Sequence, residues 1–201
     1  MISMMARHPF GPAILEAECP NSIIDGLNNL IDEMPKEKLE ICSSKYNDGI
    51  PNLLNRGFEI LYLLKEDVEK LSYNDYLLTI SSEYLRYLNR SAEGLYLPDP
   101  IFSDKFYDVW VNRYFRGDIT PPHGHAHYLS GVTILKLPTD NYNLPMDQDS
   151  SRSLEFMHND EAYLPEQKVG MTYIFPSHLR HWVHFQVCET ERRTVSFNIA
   201  I

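Results

Sequence analysis

The sequence is poor in cysteine and lacks any long apolar run. Its three cysteines, Cys19, Cys42 and Cys188, are widely spaced, odd in number and without a Cys-x-x-Cys pair. This pattern excludes a disulfide framework and a cysteine-rich zinc site, and it predicts a reduced, cytoplasmic setting. No stretch approaches the roughly 18 apolar residues that span a bilayer, and Met1 to Pro9 has no apolar core of signal-peptide length. We therefore expect a soluble protein without a membrane partner.

Positive charge is also scarce. The 201 residues carry 18 Lys and Arg against 28 Asp and Glu, a formal net charge of −10. Nucleic acids and anionic membranes bind clustered Lys and Arg, so a nucleic-acid partner is disfavoured, although a local basic groove stays compatible with this balance. The apolar share of 43% and the charged share of 23% are those of folded soluble proteins, which excludes disorder, collagen and coiled coil for the chain as a whole.

The length and the change of pattern along the chain predict one domain. We expect residues 1–201 to fold together, with a mainly helical support region at 1–98 and a β-rich core at 99–201. Before residue 98, the apolar run Ala13, Ile14 and Leu15 predicts an edge strand.

Helical spacing of apolar residues predicts a helix from 22 to 34, opened by a capping box of Ser22 and Asp25, and a second helix from 75 to 89.

After residue 98 the pattern changes to short strands separated by Pro, Gly, Asp and Asn. The predicted strands are 108–115, 130–137, 169–175, 182–187 and 194–201. Strands that follow one another without intervening helices predict a sandwich or a barrel. The polar segment 139–153 predicts an exposed loop, which we interpret as a lid.

Six histidines form two clusters in this β-rich half. The clusters are His123, His125 and His127, followed by His178, His181 and His184. Because residues i and i+2 of a strand project from one face, His123 and His125 are able to grip one metal ion together. His181 starts an alternating strand after a tight turn and is the candidate third ligand. A single histidine is more often a surface or hydrogen-bonded residue, so the pair and its setting carry this prediction.

Parts of two cupin motifs are present. Gly-x5-His-x-His, beginning at Gly117, resembles the start of the first motif, and Gly-x5-Pro-x4-His, beginning at Gly170, resembles most of the second. The glutamate that cupins carry four or five residues after the second histidine is absent, since Leu129 and Ser130 stand there. The resemblance implies a double-stranded β-helix, a small jelly-roll barrel with the metal inside.

A closer resemblance runs from Trp110 to the C-terminus. The segments HGHAHYLSGVTILKLP, FPSHLRHWV and ERRTVSFN resemble, in order and spacing, a group of 2-oxoglutarate- and iron(II)-dependent oxygenases of bacteria and phages. This implies an α+β fold, a cupin-like double-stranded β-helix supported by N-terminal helices. It also implies an enzyme that uses Fe(II), 2-oxoglutarate and O2, releases succinate and CO2, and hydroxylates a substrate C–H bond.

The same resemblance implies the site residues. His123, His125 and His181 are expected to be the catalytic metal ligands. Most oxygenases of this class use His-x-Asp with a distal His, and His125 occupies the carboxylate position here; either three imidazoles hold the iron, or two do so with a water. Arg192 is expected to pair with the far carboxylate of 2-oxoglutarate, because its planar fork matches both oxygens. Arg192-x-Thr194 resembles the Arg-x-Ser pair of such enzymes.

Further residues near the motifs receive weaker assignments. Tyr114 and Ser130 are expected to hydrogen-bond the co-substrate, with simple packing as the alternative. Arg193 is expected on the exterior, His127 outside the ligand set, and Asp118 in a turn. The remaining candidates are two histidines expected to be structural or substrate-facing and two tryptophans expected in the core or at the rim: His178, His184, Trp110 and Trp182.

Two other functions stay open at this point. One is a cupin-type three-histidine metalloenzyme that does not use 2-oxoglutarate, in which Arg192 would bind a substrate carboxylate. The other is a barrel that serves as a binding module without turnover. For the enzyme, the substrate is expected to be a small molecule or a peptidyl residue, and the sequence leaves the oligomeric state open.

Overall fold

The computed structural model describes residues 2–9, 11–35, 59–91, 98–101, 108–139 and 154–201. The strands are β1 Met4–Arg7, β2 Ile14–Glu18, β3 Glu59–Tyr62, β4 Val109–Tyr114, β5 Thr120–His123, β6 Leu129–Lys136, β7 Leu154–His158, β8 Glu161–Tyr163, β9 Met171–Pro176, β10 Arg180–Val183 and β11 Arg192–Ile199. The helices are α1 Asn21–Asp32, α2 Lys65–Lys70 and α3 Tyr73–Ser91. None of the helices in these ranges has the length and apolarity needed to cross a membrane.

The strands form two antiparallel sheets. The larger sheet has the order β1-β2-β9-β6-β11-β4-β3, and the smaller one has the order β5-β10-β7-β8. Apolar side chains from both sheets meet in one cluster, where the rings of Phe156 and Phe175 lie 4.8 Å apart. Two sheets that share a core in this way form the double-stranded β-helix, so the predicted α+β fold class is confirmed. The division into one domain with a support region stays a prediction.

The other face of the larger sheet packs against α1 and α3. Apolar side chains of β6 and β11 on this face share a second core with the helices. The Phe197 ring crosses Gly131 so closely that a Cβ at Gly131 would lie 2.2 Å from Phe197 Cζ. The larger sheet therefore has one face toward helices and one toward the smaller sheet, and the alternation of a strand decides which face each side chain occupies.

Two sequence predictions about the N-terminal region are wrong. The predicted edge strand is β2, which pairs with β1 on one side and β9 on the other, so β1 is the edge. The short, mostly exposed β1 has no apolar pattern that would have revealed it. Helix α1 begins at Asn21 after Pro20, with no side-chain cap. Ser22 lies inside the first turn, where it cannot cap the helix, and the Pro20 carbonyl accepts the Ile23 and Ile24 amides instead.

The remaining elements match more closely. The predicted helix at 75–89 is α3, and four predicted strands correspond to β4, β6, β9 and β11. The strand predicted at 182–187 starts earlier and is shorter, as β10. No sequence pattern indicated β5, whose Thr-Pro-Pro-His segment resembles a strand break. Among the described strands β5 pairs only with β10, so its prolines lie at the sheet edge, where they are tolerated. The predicted lid lies outside the described residues beyond Thr139.

Candidate active site

Three predicted ligands come together at the paired strands β5 and β10. His181 stands opposite His123 in the strand register, and His125 follows the end of β5. Ligand nitrogens of the three rings lie within 4.8 Å of one another, and the Nε2 atoms of His125 and His181 are 3.3 Å apart. Two nitrogens that bind one metal ion at right angles lie about 3 Å apart, so the spacing fits a shared ion. No carboxylate joins this group in the part of the chain that the structure describes.

Backbone carbonyls orient two of the three rings. His123 Nδ1 lies 2.9 Å from the Pro121 carbonyl oxygen, and His181 Nδ1 lies 2.9 Å from that of Leu179. Because a carbonyl only accepts, each Nδ1 carries the proton and donates it. The opposite nitrogen, Nε2, then keeps its lone pair for a metal. This is the arrangement in which a second contact fixes the tautomer of a ligand histidine.

The surroundings keep the imidazoles neutral. Burial lowers the pKa of His181 to about 3, with a further contribution from His123, and burial lowers the pKa of His125 to about 4. Burial also lowers the pKa of His123. The Phe175 ring stands edge-on to His181 at 4.7 Å, and the Trp110 ring lies 5.9 Å from His125. Neutral rings in an apolar setting are what metal ligation requires.

Arg192 is a buried cation with unused hydrogen-bond donors. It is 1% exposed, and its Nη2 donates to Gln167 Oε1 at 3.2 Å. Its Nε and Nη1 are buried without a hydrogen-bond partner in the described residues. Burying an unpaired charge costs free energy, and an anion that binds these two nitrogens would offset that cost. A guanidinium with unused N–H groups along its edges matches a carboxylate, the group that the resemblance places here.

Tyr114 connects Arg192 to the strand that carries His123. The Arg192 guanidinium carbon lies 5.4 Å from the centroid of the Tyr114 ring, and burial raises the pKa of Tyr114. The Tyr114 hydroxyl is 2.8 Å from Thr120 Oγ1, at the start of β5. Thr194 lies on the same face of β11 as Arg192, and its hydroxyl accepts a 3.5 Å bond from Asn112 Nδ2. The structure thus groups Arg192, Tyr114 and Thr194, while their contact with co-substrate stays a prediction.

Ser130 is buried among protein partners. Its hydroxyl donates to Asn198 Oδ1 at 2.7 Å and lies 2.8 Å from Ser177 Oγ. A hydroxyl has a single proton to donate, and Ser130 gives it to Asn198. The predicted role of Ser130 at the co-substrate is therefore not supported by any free donor on this side chain.

The prediction for Arg193 is wrong in one respect. It does face the side of β11 opposite Arg192, but it is 1% exposed and not exterior. Its guanidinium donates to Glu191 Oε1 at 2.8 Å, Asp32 Oδ1 at 2.6 Å and Asn28 Oδ1 at 3.1 Å. Helix α1 covers this face of the sheet and supplies two of these acceptors, which strand alternation alone does not reveal.

The other candidates lie outside the group of three histidines. His127 Nε2 is 3.2 Å from Asp108 Oδ2, outside the ligand group. Asp118 accepts the Phe115 amide at 2.6 Å, as expected for a turn residue. His178 is exposed. His184 pairs with Glu155.

Sequence reasoning missed Gln167, the partner of Arg192, because no motif marks it. It also missed that Asn198 accepts the hydrogen bond of the Ser130 hydroxyl, although Asn198 belongs to the quoted Ser-Phe-Asn segment.

Comparisons with known proteins agree with this geometry. Residues 108–198 match the family described as "Putative 2OG-Fe(II) oxygenase". Among solved structures, the chain resembles a Pseudomonas putida prolyl-4-hydroxylase (15% identity, 99% of this chain and 91% of that one, TM-score 0.56). It also resembles a prolyl hydroxylase from Trichoplax adhaerens (11% identity, 99% and 83%, TM-score 0.59) and a viral collagen prolyl hydroxylase from Paramecium Bursaria Chlorella virus-1 (15% identity, 89% and 90%, TM-score 0.50). At these identities the likeness shows the fold. No curated protein matches the chain.

The family match and the site agree on the chemistry. The matched family uses Fe(II), 2-oxoglutarate and O2, and the group of three histidines fits an iron site. The unpaired donors of Arg192 fit a carboxylate of the co-substrate. Residues 108–198, a little under half of the chain, therefore match the 2-oxoglutarate- and iron(II)-dependent oxygenase family, and the fold and the histidine site agree with that match.

Proposed function

We propose that this oxygenase is a hydroxylase of an aliphatic C–H bond in a small-molecule or peptidyl substrate. In the balanced reaction, substrate, O2 and 2-oxoglutarate give hydroxylated substrate, succinate and CO2. The proposal rests on two buried N–H groups of Arg192 that have no hydrogen-bond partner in the described residues. Tyr114 links Arg192 to Thr120 at the start of β5, the strand that ends in the ligand His123. When bound, the iron activates O2 and supplies the oxidising power for the C–H bond.

The three histidines would hold the iron on one face. Their rings are neutral because burial lowers the pKa of each one, most strongly that of His181, to about 3. Three neutral ligands leave the full charge of Fe(II) to attract the dianionic co-substrate. A site built from these three histidines would leave coordination positions for the co-substrate and O2.

Arg192 and Tyr114 would orient the co-substrate. Nε and Nη1 of Arg192 are unused donors on two edges of the guanidinium that share Nη2, and a guanidinium pairs with both oxygens of a carboxylate along one such edge. The Tyr114 ring lies against the guanidinium of Arg192, and Nη2 of Arg192 donates a hydrogen bond to Gln167. These contacts keep the fork in one orientation, so the bound co-substrate would take one position relative to the histidines.

Aromatic side chains would exclude water from the reacting centre. Phe156 and Phe175 lie beside His181, with ring centroids 6.3 Å and 4.7 Å away. Trp110 is half-buried, contacts His125 and lies 6.2 Å from the Tyr62 ring. We infer that substrate approaches over Trp110, since this ring joins the interior to the surface. Apolar side chains that exclude water protect a reactive centre from side reactions.

Several features guide the choice of substrate and setting. The three related structures named above carry the names of prolyl hydroxylases, so proline-containing peptides and free amino acids are the first compounds to test. The net charge of −10 does not favour a nucleic-acid substrate. Cys19 is a free, buried thiol, which supports a reducing, cytoplasmic setting.

Succinate formation tests the proposal. Purified protein is incubated with Fe(II), ascorbate and 2-oxoglutarate in air, with and without candidate substrates, and succinate and hydroxylated product are measured by mass spectrometry. We expect uncoupled succinate from the wild type and none from His181→Ala or Arg192→Met.

Surface variants on the opposite side of the larger sheet, His8→Ala and Arg86→Met, serve as controls and should retain the wild-type rate. Metal binding without affinity for 2-oxoglutarate would contradict the proposal and favour a cupin-type enzyme. Absence of metal binding would favour a binding module.

A further inference from the structure

Ser177 joins the two segments that carry His125 and His181. The His125 amide donates to the Ser177 carbonyl at 2.8 Å, and the Ser177 amide donates to the Tyr128 carbonyl at 3.0 Å. Ser177 is fully buried and lies four residues before His181. The loop after β5 and the turn before β10 are therefore held together by two backbone hydrogen bonds on one residue.

The two segments also approach each other closely. A Cβ on Gly124 would lie 3.3 Å from the carbonyl oxygens of both Ser177 and His178. Any side chain at Gly124 would press the loop and the turn apart. His125 depends on this contact more than its partners do, because its ring donates to no backbone carbonyl in the described ranges, whereas His123 and His181 each have one.

A chain of buried side chains fixes Ser177 in turn. The Ser130 hydroxyl gives its proton to Asn198 Oδ1, so the 2.8 Å contact with Ser177 requires that the Ser177 hydroxyl donate to Ser130. Asn198 Nδ2 donates to Asp108 Oδ2 at 3.3 Å, and the same oxygen is 3.2 Å from His127 Nε2. The chain starts at the turn before His181, crosses β6 and β11, and returns to the loop that bears His125.

We propose that Ser177, Ser130, Asn198 and Asp108 form a positioning network that sets the separation of the His125 and His181 imidazoles. The network touches neither metal nor co-substrate, and acts through the backbone at Ser177. It rests on the metal centre of the proposed function. Loss of one member lets the His125 loop move away from the turn, so the three nitrogens no longer converge and the metal binds more weakly. Groups that orient metal ligands from outside the first coordination sphere typically account for roughly 10- to 100-fold in metal affinity.

The test compares two buried hydroxyls on the same strand. Ser130→Ala removes the centre of the network. The matched control is Thr133→Val, also on β6, whose hydroxyl makes two buried side-chain bonds, to Tyr73 and Thr172, on the helix-facing side of the sheet. The dissociation constant for Co(II), an optical probe for the iron site, and the urea unfolding of the metal-free protein are measured for both variants and the wild type.

We expect Ser130→Ala to bind Co(II) roughly tenfold or more weakly, with an altered visible spectrum, and Thr133→Val to match the wild type at a similar loss of stability. Asp108→Ala, at the less buried end of the network, should weaken Co(II) binding in the same direction and serves if Ser130→Ala does not fold.

Wild-type Co(II) affinity in a folded network variant would overturn the proposal. A Ser130→Ala variant that keeps Co(II) affinity but loses 2-oxoglutarate affinity would overturn it in favour of a co-substrate role for Ser130. If the wild type itself binds no Co(II), the metal centre of the proposed function is wrong. Equal Co(II) binding by the wild type and a network variant would instead overturn the positioning network alone.

Discussion

Arg192 and Arg193 are adjacent on β11 and equally buried, yet they have opposite electrostatic surroundings. Burial lowers the pKa of Arg192, which has two unpaired donors. Burial alone would also lower the pKa of Arg193, but hydrogen bonds to Glu191 and Asp32 outweigh it and raise that pKa. Arg192 is therefore able to bind an incoming anion, whereas Arg193 links α1 to the larger sheet.

The two arginines should therefore respond oppositely to substitution by methionine. Arg192→Met removes an unpaired buried charge, so we expect the ligand-free protein to be at least as stable as the wild type. Arg193→Met removes the Arg193 ion pairs but leaves Glu191 paired with Arg113 and Asp32 paired with Lys136. It should cost about 2 kcal/mol, less than the loss of a fully buried pair, because Asp32 is half-exposed. Urea unfolding measures both, and a larger loss for Arg192→Met would contradict this assignment.

Binding of 2-oxoglutarate should separate the same two variants. Arg192→Met loses two charge-assisted hydrogen bonds, so we expect roughly 10- to 100-fold weaker binding to the metal-loaded protein. Arg193→Met, where it folds, should bind 2-oxoglutarate as the wild type does. Calorimetric titration checks this, and equal losses in both variants would show that the effect is one of stability.

Replacement of His125 should decide whether it completes the metal face. If three imidazoles hold the ion, His125→Ala weakens Co(II) binding by more than the roughly 10- to 100-fold expected for an outer group. His178→Ala is the matched control, since His178 is an exposed histidine in the turn before β10 and lies outside the ligand group. Similar Co(II) affinity in both variants would indicate that a water takes the third position.

Acid should weaken the contact between α1 and the sheet. Burial alone would raise the pKa of Glu191, but hydrogen bonds from Arg193 and Arg113 outweigh it and lower that pKa. Since the ionised form is favoured in the folded state, this contribution is present above the ordinary glutamate pKa of 4.5 and is lost as the pH falls through the lowered value. Urea unfolding at several pH values should show a shallower acid loss for Glu191→Gln. An unchanged slope would contradict this role.

Two glycines should be sensitive to alanine for different reasons. At Gly131 a Cβ would lie 2.2 Å from Phe197 Cζ, and we expect overpacking to cost about 1–3 kcal/mol. At Gly117 a Cβ would meet no atom within 4 Å, but φ is +97°, so the cost there is backbone strain of about 1 kcal/mol or more. Adding Phe197→Leu should partly rescue Gly131→Ala in thermal unfolding and leave Gly117→Ala unchanged.

Sequence spacing anticipated the parts of the site that lie close together along the chain. The spacing correctly brought His123 and His125 to one site, although β5 ends at His123 and His125 lies in the loop after it. The alternation of β11 separates Arg192 from Arg193. The motifs around His181 and Arg192 supported the assignment to the oxygenases. The prediction of a capping box at Ser22 failed because the position of a helix end depends on a single turn of backbone, and the N-cap is Pro20, two residues before Ser22.

Residue types, strand alternation and a double-stranded β-helix with a histidine-rich site could all be inferred from the order of amino acids alone. Which elements meet became visible only in three dimensions. The fold placed His181 opposite His123, covered Arg193 with α1, left Arg192 with unused donors and linked Ser130 to Ser177. Periodicity states which side of a strand a residue faces, whereas its partners depend on pairing between segments distant in the chain.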